Sequence, residues 1–151
     1  IHKYLGNPFS AAMVHRNMGN LFKGHVKYDS EPQLYHESGE AFKPLNRVLY
    51  EAISLGNEGK LLIQLNRHGD ARRVLEASIV LCQRLQFKAE GVVFTYLARV
   101  AHFKGPLAEA DTRLQRSETL LRASKQRYHL GVLICERGLW ALASADSARA
   151  K

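Results

Sequence analysis

Small residues recur at Gly19, Gly59, Ala98 and Gly138, at intervals of 40, 39 and 40, each inside a stretch of apolar periodicity. Few features constrain a fold more, because a fixed period of this length marks one supersecondary unit that cannot bury its apolar face alone. Three residues beyond the small positions stand Phe22, Leu62, Ala101 and Ala141. A second register follows at matching offsets: Tyr35, Leu75 and Leu114, then Ser38, Ser78 and Ser117, then the pairs Ala41/Phe42, Leu81/Cys82 and Leu120/Leu121. Every unit therefore carries two stripes.

Within a stripe the offsets are 3, 4 and 7, as in Leu75, Ser78, Cys82 and Leu85. That is the spacing of one helix face, not the two-residue alternation of a strand. Punctuation agrees, since Pro8, Pro32, Pro44 and Pro106 all stand where helices should begin or end. Ser30-Glu31-Pro32-Gln33 has the spacing of a capping box, and Gly69-Asp70 is expected to supply a turn and an N-cap. Helices are expected at about 8–24, 31–43, 46–66, 70–86, 89–104, 107–124 and 127–144. Seven helices in short-looped pairs predict an all-α fold: an α-solenoid in which each stacked neighbour extends one core. It would form a single domain over 1–151 with repeats at about 11–45, 46–86, 87–125 and 126–145. The alternative is an up-and-down helix bundle whose periodicity is accidental. Small residues at the Gly59 and Ala98 level should let paired helices approach closely, and a bulky substitution there should part them.

The composition, 46% hydrophobic and 24% charged, fits one soluble domain with a sizeable core. No apolar run nears the ~18 residues of a membrane span, and Ile1-His2-Lys3-Tyr4-Leu5-Gly6 does not continue into a secretory signal. A chain opening on Ile1 is expected to be a fragment or processed form of a longer protein. Cys82 and Cys135 sit in apolar helical patterns where a thiol acts as a small hydrophobe, so a reducing, cytoplasmic setting is expected. The net charge of +8 is uneven, with 13 basic and 6 acidic residues in 60–127. Such a region attracts nucleic acid, acidic lipid or acidic peptide.

These positions resemble the tetratricopeptide repeats. That family's pattern sets a small residue, a large one three later, an alanine at twelve, a large apolar at sixteen and a small residue at nineteen. Gly59, Leu62, Ala71, Leu75 and Ser78 follow it, as do Ala98, Ala101, Ala110, Leu114 and Ser117. In the first unit Gly19, Phe22, Tyr35 and Ser38 match, but Glu31 takes the alanine position, which makes that pair the place for irregular packing. Units near 40 residues are similar to the extended repeats of large bacterial signalling and transcription-regulating proteins, whose polar connector Leu85-Gln86-Phe87-Lys88-Ala89-Glu90-Gly91 resembles. The resemblance spans about 13–145 and implies a scaffold with a concave groove that holds a peptide or protein segment.

In such arrays the first helices line the groove. Carried over by position, this implies Arg16, Asn20 and Lys23, then Gly56, Lys60 and Ile63, then Thr95, Arg99 and His102, and finally Cys135, Leu139 and Leu142. The groove should be basic at one end and apolar at the other. Arg16, Asn20 and Asn57 match positions of the carboxylate clamp that grips acidic chaperone C-termini, whereas Val92 and Tyr96 lack its Lys and Arg. Lys60 and Arg99, one repeat apart, are expected to bind carboxylates of an acidic partner through charge-assisted hydrogen bonds. The plainer reading leaves Arg16, Lys60 and Arg99 solvated or paired with Glu58 and Glu90. His102 reads as a partly exposed histidine and Cys135 as packed.

Catalytic chemistry finds no foothold, and no cofactor, metal or enzymatic activity is expected. His36-Glu37-Ser38-Gly39-Glu40 opens like a zinc-protease motif but has Glu40 in place of the second histidine. Gly19 to Gly24 is spaced like part of a phosphate loop, yet His25 stands where lysine is needed. Two rivals to the groove remain. One is nucleic-acid binding through 60–127, opposed by the interspersed Asp70, Glu76, Glu109, Asp111 and Glu118. The other is self-association through the apolar end Leu139-Trp140-Ala141-Leu142, which lacks a polar cap. No membrane partner is expected.

Overall fold

The computed structural model describes residues 31–44 and 46–149, with side chains from Pro32 to Leu142. The helix expected at 8–24, and with it Arg16, Asn20, Lys23 and the irregular first pair, lies outside the described residues. Six helices follow: α1 Glu31–Phe42, α2 Val48–Gln64, α3 His68–Arg84, α4 Glu90–Lys104, α5 Leu107–Ala123 and α6 Arg127–Arg149. No strand occurs among the described residues, which are all-α as the periodicity requires. None of these helices is long and apolar enough to cross a membrane.

Four of the five connections between these helices share one device that composition hides. Asn46, Asn66, Gln86 and Lys125 all take positive φ, between 49° and 59°. The next residue then donates its backbone N–H to a carbonyl five back, Arg67 to Leu62 and Phe87 to Cys82 and Gln126 to Leu121, with Arg47 to Phe42 likewise. This is the Schellman closure of a helix end, which usually recruits glycine because a side chain in that region costs about 1 kcal/mol. Here the expected Gly69-Asp70 turn is corrected: Asn66 makes the turn, and α3 already begins at His68. Asp70 holds Arg67 and Arg73 at 2.7 and 3.2 Å instead of capping the helix.

Consecutive helices pack side by side, and α2 also touches α4. One core cluster joins α2, α3 and α4 through residues such as Leu62, Leu75, Cys82 and Leu97; a second joins α4, α5 and α6 through Ala98, Leu114, Leu121 and Leu133. The repeat is visible in single contacts. Ser78 Oγ donates to the Ala52 carbonyl at 2.9 Å, and 39 residues on Ser117 Oγ donates to the Gly91 carbonyl at 2.7 Å. Both serines are fully buried, so each bond satisfies a hydroxyl that would otherwise be stranded in the core. Gly59 lies so close to Leu75 that a Cβ there would sit 2.4 Å from Leu75 Cγ. The expected close approach at the Gly59 level is present.

Candidate functional site

Lys60 on α2 and Arg99 on α4 meet at one cavity of about 200 Å³, completed by Val92, Thr95 and Tyr96 of α4 and Tyr128, His129 and Val132 of α6. Three helices that alternate along the chain therefore build it. The register explains why, since Lys60 and Arg99 each follow a repeat's small residue by one position. Lys60 Nζ stands 6.0 Å from the centre of the Tyr96 ring, at the outer reach of a cation–π contact. Arg99 forms an ion pair with Glu136, one turn beyond Val132 on α6.

Two cations, Arg99 already paired with Glu136, stand here among neutral groups. Burial, and then the neighbouring charge of Lys60, push the His129 pKa down, which keeps that imidazole neutral near pH 7. Burial also raises the Tyr96 pKa, opposed by Arg99, so its phenol stays protonated. The cavity thus presents an ammonium, a guanidinium and hydrogen-bonding phenol and imidazole groups between apolar walls. Among the described residues no group of three His, Cys, Asp or Glu is placed to hold a metal ion.

Other expected positions do not converge on this cavity. Asn57 lies one turn before Lys60, half-buried and outside the lining. His102 stacks face to face on Trp140 at 4.2 Å and lines a separate cavity of about 250 Å³ with Asp111 and Arg137. Ile63 is only 5% exposed because it packs into the α2–α4 core, which removes it from any groove. Thr95 reaches the lining but is bonded internally, 2.8 Å from Ser117 Oγ. Cys135 is exposed rather than packed, and with Leu139 and Leu142 it lies outside the cavity. Arg99 takes neither of the expected partners: Glu58 faces His36 at 3.6 Å, and Glu90 faces Arg116 at 3.9 Å. Tyr128, His129 and Glu136 were not among the expected site residues, and their only signal was a position about one repeat beyond the α4 residues they face.

A shallower depression of about 450 Å³ beside the α3–α4 connection has its polar groups engaged internally. Gln83 donates to Glu90 at 3.1 Å, and the Gln126 side chain donates to the Lys88 carbonyl. Elsewhere the basic segment is laced with carboxylates. Arg72 meets Glu109 through two bonds at 2.8 and 3.2 Å, Arg113 meets the same carboxylate, and Arg122 and Arg137 share Glu118. Compared with models of known protein families and with curated proteins, the chain matches none.

Proposed function

We propose that the chain is a non-enzymatic, tetratricopeptide-like solenoid that holds an acidic peptide or protein segment against the α2, α4 and α6 side, as part of a cytoplasmic signalling or regulatory protein. The observation that carries this reading is the meeting of Lys60 and Arg99, 39 positions apart, in one cavity lined also by Tyr96, Tyr128 and His129, with Arg99 paired to Glu136. Support for the solenoid comes from the paired serine bonds at Ala52 and Gly91 and from the contact of α2 with α4. A carboxylate entering the cavity gains charge-assisted hydrogen bonds in a partly desolvated place, where they count for more than at an open surface.

Charge reversal of both bases is the direct sequence-derived test, but reversing Arg99 would set a carboxylate against Glu136. The cleaner variant is Lys60→Glu with Arg99→Gln. Wild type and this variant are compared for proteins and nucleic acid retained at low and moderate salt, alongside a labelled glutamate-rich peptide and its glutamine counterpart. The reading expects the wild type alone to retain the glutamate peptide, with helix content equal in both. Equal retention by both proteins refutes it, and nucleic acid retained with a steep salt dependence replaces it with the rival reading.

A further inference from the structure

Most of the positive charge of the described residues is already committed. Arg47 and Lys60 aside, every described Lys or Arg forms an ion pair except Arg84, Lys88, Lys104, Lys125 and Arg127. Four of these five stand in or beside the α3–α4 and α5–α6 connections, and all four are exposed. The two connections lie side by side: the Gln126 side chain donates to the Lys88 carbonyl, and one depression is lined by Phe87 and Lys88 from the first and Ala123 and Ser124 from the second. Neither 84–89 nor 122–127 contains an acidic residue. The acids flanking them are engaged, since Glu90 accepts from Gln83 and Glu118 holds Arg122 and Arg137. Arg84 and Lys125 close α3 and α5, where a cation suits the helix dipole, but Lys88 precedes α4 and Arg127 opens α6, where a cation opposes it. The helices therefore do not account for those two charges.

This strip runs into the cavity at Lys60 and Arg99. Tyr128 and His129, which line the cavity, directly follow Arg127, and Val92 lies about one turn beyond Lys88. Tyr128, at the junction, is 78% exposed. We infer that the acidic segment assigned to the cavity continues onto Lys88, Lys125 and Arg127, so that the partner is a polypeptide with a further acidic position outside the cavity; this rests on the function proposed above. One helical turn is about 5.4 Å, a length that two residues of extended chain span, which sets the further acid about two to four residues from the one in the cavity. The occupant is a polypeptide because a cavity of about 200 Å³ lies below the roughly 300 Å³ at which cofactor-sized sites begin, and admits a side chain. Exposed charge contacts hold weakly one by one, so the strip attracts and aligns the segment while the cavity retains it.

The test is an anisotropy titration of the full 151-residue chain with two labelled peptides, one glutamate-rich and one carrying a single glutamate among glutamines. Lys88→Glu and Arg127→Glu are compared with Lys104→Glu, which changes the net charge equally at the far end of α4. The first two variants fold, since each places an acid at a helix N-terminus, and equal helix content checks this. At low salt each should weaken the glutamate-rich peptide about threefold to fivefold, an effect that fades as salt rises, while Lys104→Glu changes nothing. The single-glutamate peptide should be indifferent to all three. Equal weakening by Lys104→Glu, or none by Lys88→Glu and Arg127→Glu while wild type still binds, overturns the inference and leaves the cavity reading standing. A wild type that holds neither peptide removes both. A single-stranded oligonucleotide or a phosphatidylserine vesicle that binds more tightly than the peptide, and is released by the same two variants, gives the strip a different occupant and overturns the inference as well.

Discussion

Replacing Gly59 by alanine adds one methyl to α2 at its closest approach to α3. The new Cβ would stand 2.4 and 2.5 Å from two carbons of Leu75, whereas ordinary contact begins near 3.4 Å, so Leu75 or the helix must yield by about 1 Å. Leu75 is fully buried in a cluster with Ala71, Cys82 and Leu97, and a close-packed interior gives it nowhere to go. Overpacking of this kind costs about 1–3 kcal/mol, against which a helix-interior alanine recovers about 0.5–1 kcal/mol over glycine. The net expectation is a loss of about 1–2 kcal/mol. Gly138→Ala is the matched control, since it makes the same exchange in a helix interior with nothing within 4 Å and should stabilise by about 0.5–1 kcal/mol. Both are measured by urea unfolding at the same protein concentration. Trimming Leu75→Val should relieve part of the clash, so the pair should lose less than the sum of its single changes. A Gly59→Ala protein as stable as its parent would refute the tight α2–α3 packing and the repeat register read from it.

Four further outcomes are expected. Ser78→Ala and Ser117→Ala should each cost about 1 kcal/mol by urea unfolding, and similar values in both would reflect the equivalence of their bonds to Ala52 and Gly91. Burial raises the Glu58 pKa above its usual 4.5, and its buried Oε2 has no hydrogen-bond partner. Glu58→Gln should therefore stabilise near neutral pH by about 1 kcal/mol, with the gap closing as pH falls through the raised value and gone below 4.5, where the wild-type carboxyl is protonated in both states. Hydrogen bonds from Arg72 and Arg113 hold the Glu109 pKa down, so Arg72→Ala should destabilise by at most about 1 kcal/mol at neutral pH, an effect lost as pH falls through that lowered value. Binding of a glutamate-rich peptide should tighten as pH falls from 7 through the depressed His129 pKa, below 6.5, and His129→Gln should flatten that rise in an anisotropy titration.

The helices were legible because an apolar residue at every third or fourth position has one physical meaning, and the observed α1 to α5 begin and end within about two residues of expectation. Their connections were harder to read. Asn46, Asn66, Gln86 and Lys125 adopt a conformation for which glycine is the usual signal, and Gly69, the glycine present nearby, sits inside the first turn of α3. The reason is that the turns are held by backbone bonds and by the helices they join, which tolerate a strained residue that sequence statistics would not choose. At the cavity, Lys60 and Arg99 were legible from one-repeat spacing. Glu136 was not, because the partner of Arg99 is chosen by the packing of a third helix rather than by neighbours in sequence.

That packing follows a rule of its own. Arg72 pairs with Glu109, Arg113 with Glu76 and Arg99 with Glu136, and each pair is 37 positions apart. A repeat of 39 or 40 residues minus two or three residues, somewhat less than one helical turn, yields this offset: residues that face one another across adjacent units are displaced along the helix by the length of a side chain's reach. The same offset changes what the net charge means. Charge counted along the chain places an excess of seven positive charges in 60–127, but the arginines that repeat at this spacing already meet carboxylates from the neighbouring unit. An arginine so held brings little to a phosphate, because binding one ion pair requires breaking another. Lys60 stands at the cavity with Tyr128 and His129 of the unit beyond. On the function proposed above, it is these local surroundings, and not total charge, that an incoming acid would meet.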